Sequence, residues 1–98
     1  MMHVLVRHKV SDYNRWKEAF DSHLNNRKRA GETGFRLFHN ADDPHEVILL
    51  LDWSSADEAR QFMSSDDLRD AMKKAGVVGA PEVHYLEDAR TVHRSAAD

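Results

Sequence analysis

The 98-residue sequence contains no cysteine, and this absence removes several kinds of site at once. Without a thiol there is no disulfide, no thiolate metal ligand and no cysteine nucleophile. No run of about 18 apolar residues occurs, so we expect no membrane-spanning helix and no membrane partner. The opening residues, MMHVLVRHKV, lack the basic, apolar and small-residue zones of a signal peptide, which makes a cytoplasmic location the expectation.

Basic charge is also scarce. Fourteen Lys and Arg residues stand against 17 Asp and Glu residues, which gives a net charge of −3 with histidine neutral. Nucleic-acid-binding modules carry a concentrated basic face. The basic cluster Arg27-Lys28-Arg29 instead closes a predicted helix, where cations complement the helix dipole. We therefore expect no nucleic-acid partner.

The first half of the chain shows a clear succession of strand and helix patterns. Residues 2–10 alternate, with Val4, Val6, His8 and Val10 on one side, which predicts a strand. Tyr13–Ala30 carries bulky apolar side chains three and four residues apart, which predicts one amphipathic helix ending near Gly31. Further strands are predicted at Thr33–Asn40 and at His45–Trp53, with a turn at residues 40–44.

The second half repeats the pattern in a shorter form. Ser55 and Glu58 form a capping box that begins a helix. Residues 64–67 interrupt this helix and restart it, and Gly76 is suited to its end. The alternating segment Glu82–Glu87 after Pro81 predicts a fourth strand.

The element order β-α-β-β-α-β is that of a ferredoxin-like α+β fold. Right-handed crossovers and a hairpin between the middle strands predict an antiparallel sheet in the order 4-1-3-2, with both helical segments on one face. We expect one domain over residues 1–88 and a polar C-terminal tail over residues 89–98.

The third predicted strand is apolar at every position from Val47 to Leu51. A strand with one face in water would alternate, because successive side chains point to opposite sides of a sheet. Helices cover one face of this central strand, and a second copy of the chain is the economical cover for the other. The sequence therefore favours a homodimer, with a monomer that has an apolar sheet face as the alternative.

Three features carry a resemblance to a known group. Asp52-Trp53-Ser54-Ser55 leads into Glu58–Met63, the helix restarts at Ser65–Leu68, and the first helix carries Trp16 and Phe20. Through these features, the span from Met2 to about Glu87 resembles the dimeric α+β barrel superfamily, which includes small antibiotic-biosynthesis-type monooxygenases. The resemblance implies a pocket between helices and sheet. It also implies a small aromatic or polyketide-like ligand, with cofactor-free monooxygenase or cyclase chemistry.

Haem-degrading members of that superfamily carry an axial histidine on the restarted helix and an asparagine on the first strand. Here the helix position corresponds to about Met72, and the first strand has no asparagine. We therefore expect no haem and no other cofactor.

The candidate site residues follow from this arrangement. His8 and His23 are the candidate catalytic residues, as proton acceptors or hydrogen-bond donors; the candidate substrate-binding residues are Trp16, Phe20, Phe62 and Met63. His8, His39 and His84 are also predicted near one end of the sheet, but no metal-ligand spacing supports a metal site there. No acid–base pair appears at a recognisable spacing, so a non-catalytic dimeric ligand-binding or stress-associated module is the alternative function.

Overall fold

One antiparallel sheet and four helices make up the structure, a computed structural model that describes residues 2–94. The elements in chain order are β1 (Met2–Val10), α1 (Tyr13–Ser22), α2 (Leu24–Ala30), β2 (Glu32–Asn40), β3 (Asp43–Trp53), α3 (Ala56–Met63), α4 (Asp66–Lys74) and β4 (Val77–Glu87). The strand order β2-β3-β1-β4 is the predicted order read from the opposite edge. The ferredoxin-like α+β fold is therefore confirmed.

The two central strands supply the core. Val4 and Val6 of β1 pair with Leu51 and Leu49 of β3, and all four side chains are buried. Side chains that pair across an antiparallel ladder share a face. The alternate residues of both strands therefore form one apolar surface beneath the helices, and Trp53 closes it at the end of β3.

The opposite sheet face carries no helix in the described part of the chain. Leu5, Ile48 and Leu50 lie there half-buried, and Phe38 and Leu86 are 42% and 39% exposed. The apolar run of β3 thus divides as predicted, with alternate residues covered by helices and the others on the open face.

The predicted helix Tyr13–Ala30 is two helices, which corrects the sequence interpretation. His23 lies between α1 and α2. Its backbone N–H donates hydrogen bonds to both the Ala19 and the Phe20 carbonyl oxygens, at 3.2 Å each. This bifurcated bond tightens the last turn of α1 before the chain continues as α2. The helical spacing of apolar residues continues through the break, so periodicity did not reveal it.

The fourth strand begins at Val77, five residues earlier than predicted, and includes Pro81. Proline is tolerated because β4 is an edge strand, where one side of the backbone needs no ladder partner. The pairing with β1 also shifts register between Arg7 and Lys9.

Short capping interactions fix the helix ends. Ser55 Oγ accepts a hydrogen bond from the Glu58 N–H at 3.2 Å, as the predicted capping box requires. Gly31 ends α2 with φ at +120°, and a Cβ there would collide with the Glu58 carboxylate. Only glycine fits this close approach of α2 and α3 without strain.

Residues 88–94 are exposed and form neither helix nor strand. The remainder of the predicted tail, residues 95–98, lies outside the described residues. Across residues 2–94, no helix combines the length and apolar character that a membrane crossing requires.

Candidate functional site

A cavity of about 70 Å³ lies between the sheet and the helices. Its walls come from β1, β3 and all four helices, and they are predominantly apolar. All six residues that the sequence singled out line it: His8, Trp16, Phe20, His23, Phe62 and Met63. The fold brings together residues that are up to 55 positions apart in the chain.

Aromatic rings form the side of the cavity that α1 supplies. Trp16 and Phe20 are stacked, with ring centroids 5.1 Å apart and planes 14° from parallel. The His8 ring lies 5.5 Å from the Trp16 ring, with the two planes tilted by 54°. Across the cavity, Phe62 packs 5.3 Å from Trp53. Aromatic side chains in a cavity wall are suited to contact an aromatic ligand.

His8 is the most unusual group in the site. It points from β1 toward the helices and is 5% exposed, and neither ring nitrogen has a hydrogen-bond partner. Burial lowers the pKa of His8 to about 4, because an imidazolium loses its hydration there. The ring is therefore neutral near pH 7, the form that can accept a proton.

His23 also lines the cavity but has a charged neighbour. Its Nε2 lies 3.3 Å from an Asp67 carboxylate oxygen, which also accepts a hydrogen bond from the Asn26 side chain. The histidine side chain is 17% exposed, whereas that of Asp67 is 69% exposed. His23 thus sits where the cavity wall meets a polar surface groove lined by Asn26, Phe62 and Asp67.

Arg27 is a site residue that the sequence interpretation missed. We expected the cluster Arg27-Lys28-Arg29 only to complement the dipole at the end of a helix. Arg27 is instead 3% exposed and lines the cavity. Its Nε donates to Glu32 Oε1 at 3.0 Å, and its guanidinium lies 3.7 Å from the centre of the Phe20 ring. Burial raises the pKa of Glu32, and the nearby Arg27 only partly offsets this effect.

Spacing could have indicated this position. Arg27 follows Phe20 by seven residues and His23 by four, which places it on the aromatic face of the helical segment. The neighbouring Lys28 and Arg29 are exposed. Of the three adjacent cations, only Arg27 points toward the interior.

His8, His39 and His84, which the sequence placed near one end of the sheet, do not converge on one site. His84 pairs with Leu5 and so lies on the open sheet face, opposite His8. His39 shares the face of His8, but both pair with Val47, which separates them. Throughout the described ranges, no group of three or more His, Cys, Asp or Glu side chains could hold a metal ion.

The wall of the cavity formed by α4 is the least firmly packed. Leu68, Ala71 and Met72 line the cavity, yet no residue of α4 is buried. A cavity of about 150 Å³ is known to hold benzene, roughly twice the volume present here. An aromatic ligand therefore needs the walls to move apart, and α4 is the wall with least burial to lose.

The sequence family agrees with this fold. The family model described as antibiotic biosynthesis monooxygenase matches residues 12–74. These residues span α1 to the end of α4, and the chain belongs to this family. No curated protein matches the chain significantly.

Solved structures repeat the fold at low sequence identity. A candidate antibiotic biosynthesis monooxygenase from Bordetella bronchiseptica is 19% identical, with a TM-score of 0.78 over 91% of this chain and 97% of that one. SnoaB, a cofactor-independent oxygenase from Streptomyces nogalater, is 13% identical, with a TM-score of 0.77 over 95% and 97%. At these identities the likeness establishes a shared fold, and the chemistry has to be argued from this chain's own residues.

Proposed function

We propose that this protein is a homodimeric, cofactor-free monooxygenase that acts on a small aromatic or polyketide-like molecule. The observation that carries the proposal is His8, a neutral and unpartnered imidazole in the wall of an apolar cavity, beside the stacked Trp16 and Phe20 rings. SnoaB, with the same fold, is named as a cofactor-independent oxygenase, which supports the reaction class.

In the proposed reaction, His8 takes a proton from an enolisable or phenolic substrate, and the resulting anion is electron-rich enough to reduce molecular oxygen. A new C–O bond forms and gives a peroxide, which takes the proton back from the imidazolium. Loss of the carbon-bound hydrogen then breaks the O–O bond. For a ring methylene, CH₂ and O₂ become C=O and H₂O, so four electrons pass from carbon to oxygen and every atom is accounted for.

A pKa of about 4 makes free His8 a weak base at pH 7. The substrate changes this balance, because an anion formed beside the ring stabilises the imidazolium in a cavity of low polarity. His23 is the second candidate for proton transfer, and its contact with Asp67 holds it at the cavity rim.

The homodimer is proposed from the open sheet face. Leu5, Ile48 and Leu50 form its centre, and an ion pair between Arg7 and Glu46, with a 2.8 Å N–O distance, lies at its side. An apolar centre with a charged rim is the common pattern of protein interfaces. A second copy packing sheet against sheet would cover all of it.

Oxygen consumption tests the reaction directly. The protein would be mixed with enolisable aromatic ketones and phenols of increasing size, such as anthrone, without added cofactor. We expect oxygen uptake and ketone formation in equal amounts. His8→Phe should lower kcat/KM by about 10²- to 10⁴-fold, the usual contribution of a general base. His93→Phe, which changes an exposed histidine outside the site, should retain full activity.

A non-catalytic ligand-binding module is the second candidate. It is favoured by the absence of a hydrogen-bond partner on either nitrogen of His8, since catalytic imidazoles are usually oriented by a second group. If wild type and His8→Phe both bind aromatic ligands and neither consumes oxygen, this candidate replaces the first.

A further inference from the structure

The guanidinium of Arg27 has one donor group that the protein does not use. Nε bonds to Glu32, and Nη1 donates to the Phe20 carbonyl at 2.6 Å. Nη2 is buried and has no partner. The ion pair itself is sealed from water, with side-chain exposures of 4% for Arg27 and 2% for Glu32.

Packing does not account for this unpaired group. The aromatic contacts of Arg27, 3.7 Å to the Phe20 ring centre and 5.6 Å to that of Phe35, engage the guanidinium carbon over the ring faces. N–H groups at the edge of a guanidinium still require acceptors, and leaving one unsatisfied in a protein interior is costly. Such a group in a native protein calls for a functional role or a partner from outside the chain.

We propose that Arg27 Nη2 binds a negatively charged oxygen of the ligand, so that the cavity selects aromatic compounds that carry a carboxylate or another oxyanion. This inference defines the substrate class of the proposed function and rests on it only in that an aromatic ligand occupies this cavity. It requires no catalytic step.

The order of side chains along the cavity supports a ligand with two polar ends. His8 lies against Trp16, Trp16 stacks on Phe20, and Phe20 lies under Arg27. A ligand that contacts the edges of this aromatic pair would have a proton acceptor beside Trp16 and a cation beside Phe20. An aromatic compound with an ionisable O–H and an anionic oxygen on opposite sides satisfies both.

The charges nearby also favour an anion. His8 is neutral, and the carboxylate that opposes Arg27 is Glu32, whose pKa burial raises. Glu32 and the Phe20 carbonyl engage Nε and Nη1 and leave Nη2 for a further anion, and the attraction between opposite charges is stronger where the surroundings have low polarity.

Benzoate and benzamide provide a matched pair of probes, because they share size and shape and differ in charge. Their dissociation constants would be measured by calorimetry at pH 7.5 on the full chain, with tryptophan fluorescence as a second readout. We expect wild type to bind benzoate at least tenfold more tightly than benzamide.

Two variants isolate the arginine. Glu32→Gln keeps an acceptor for Nε and removes the opposing charge, so it should bind benzoate more tightly than wild type by about threefold or more. Arg27→Met combined with Glu32→Gln removes the cation without leaving a buried carboxylate unpaired, which avoids the folding defect expected of Arg27→Met alone. This double variant should bind the two probes within twofold of one another.

Each outcome decides the inference. Equal binding of the two probes to wild type, or a preference for benzoate that survives in the double variant, overturns the role of Arg27 and leaves aromatic binding intact. Failure of both probes to bind wild type at millimolar concentration overturns the inference together with the proposed aromatic site. Loss of oxygen uptake in His8→Phe, with the benzoate preference intact, supports the two proposals separately.

Discussion

Replacing His8 with phenylalanine should stabilise the protein, and by more at pH 4 than at pH 7.5. At pH 7.5 the wild-type ring is neutral, and both nitrogens are buried without a partner. An unsatisfied buried polar group costs about 1–3 kcal/mol. Phenylalanine has a similar shape and no polar atom, so we expect the free energy of unfolding to rise by about 1–3 kcal/mol.

Protonation adds a second contribution at low pH. The pKa of His8 is about 4 in the folded chain against 6.5 in the unfolded one. As the pH falls from 6.5 to 4, the unfolded chain binds a proton at His8 that the folded chain does not, so the wild type loses stability through this window. At ~1.36 kcal/mol per pKa unit, the loss is about 3 kcal/mol. His8→Phe does not suffer it, and its advantage grows by that amount.

Urea unfolding followed by tryptophan fluorescence at a series of pH values measures the difference. Protein concentration has to be held fixed, because association with a second copy would add to the apparent stability. Other titrating groups act alike in both proteins and cancel in the comparison. His93→Phe is the control and should show no pH-dependent difference from wild type.

Two results would refute this account of His8. One is a stability difference between wild type and His8→Phe that stays constant from pH 7.5 to pH 4. The other is an NMR titration that gives the ring an ordinary histidine pKa in the folded protein. Either would mean that His8 reaches water or a partner, and the argument for a poised neutral imidazole would fail.

Two further predictions concern assembly and ligand access. Light scattering at micromolar concentration should give the mass of a dimer for wild type and for Gln61→Glu, a control at an exposed position on α3. Leu50→Glu should give the mass of a monomer, because a dimer would bury its charge on the open sheet face without a partner. A monomeric wild type would contradict the proposed interface. Hydrogen exchange should show that benzoate protects the amides of α4 more than those of β1 and β3. The reason is that α4 buries no residue and has to repack around a ligand. Equal protection of all three elements would show that α4 is not the wall that moves.

The fold was predictable because the order of apolar and polar residues in a strand shows directly which side chains face the core. Alternation in residues 2–10 and the uninterrupted run Val47–Leu51 reflect a two-residue period that depends on nothing beyond the strand and its cover. The break at His23 was not predictable in this way. It is a change in hydrogen bonding within a segment whose apolar spacing continues unchanged.

The site divides in the same manner. Its apolar members, such as Trp16 and Phe62, were found because a helix face identifies them. His8 was found because the predicted topology places the end of β1 beside the gap between the sheet and the helices. Arg27 was missed because the positive charge of the cluster Arg27-Lys28-Arg29 does not show in which direction each side chain points. Its partner Glu32 lies beyond the end of the helix, where helical spacing no longer applies.

The buried polar atoms that lack a hydrogen-bond partner are concentrated at the cavity. Among residues 2–94, four buried side-chain nitrogen or oxygen atoms lack a partner, and three of them belong to His8 and Arg27, which line the same cavity. Random imperfections of packing would scatter such atoms through the core. Their concentration around one apolar cavity is the pattern expected where stability has been given up for binding. A ligand that offers an O–H to His8 and an anionic oxygen to Arg27 would satisfy both residues at once. Such a ligand should therefore stabilise the protein more than benzoate, which can reach Arg27 alone.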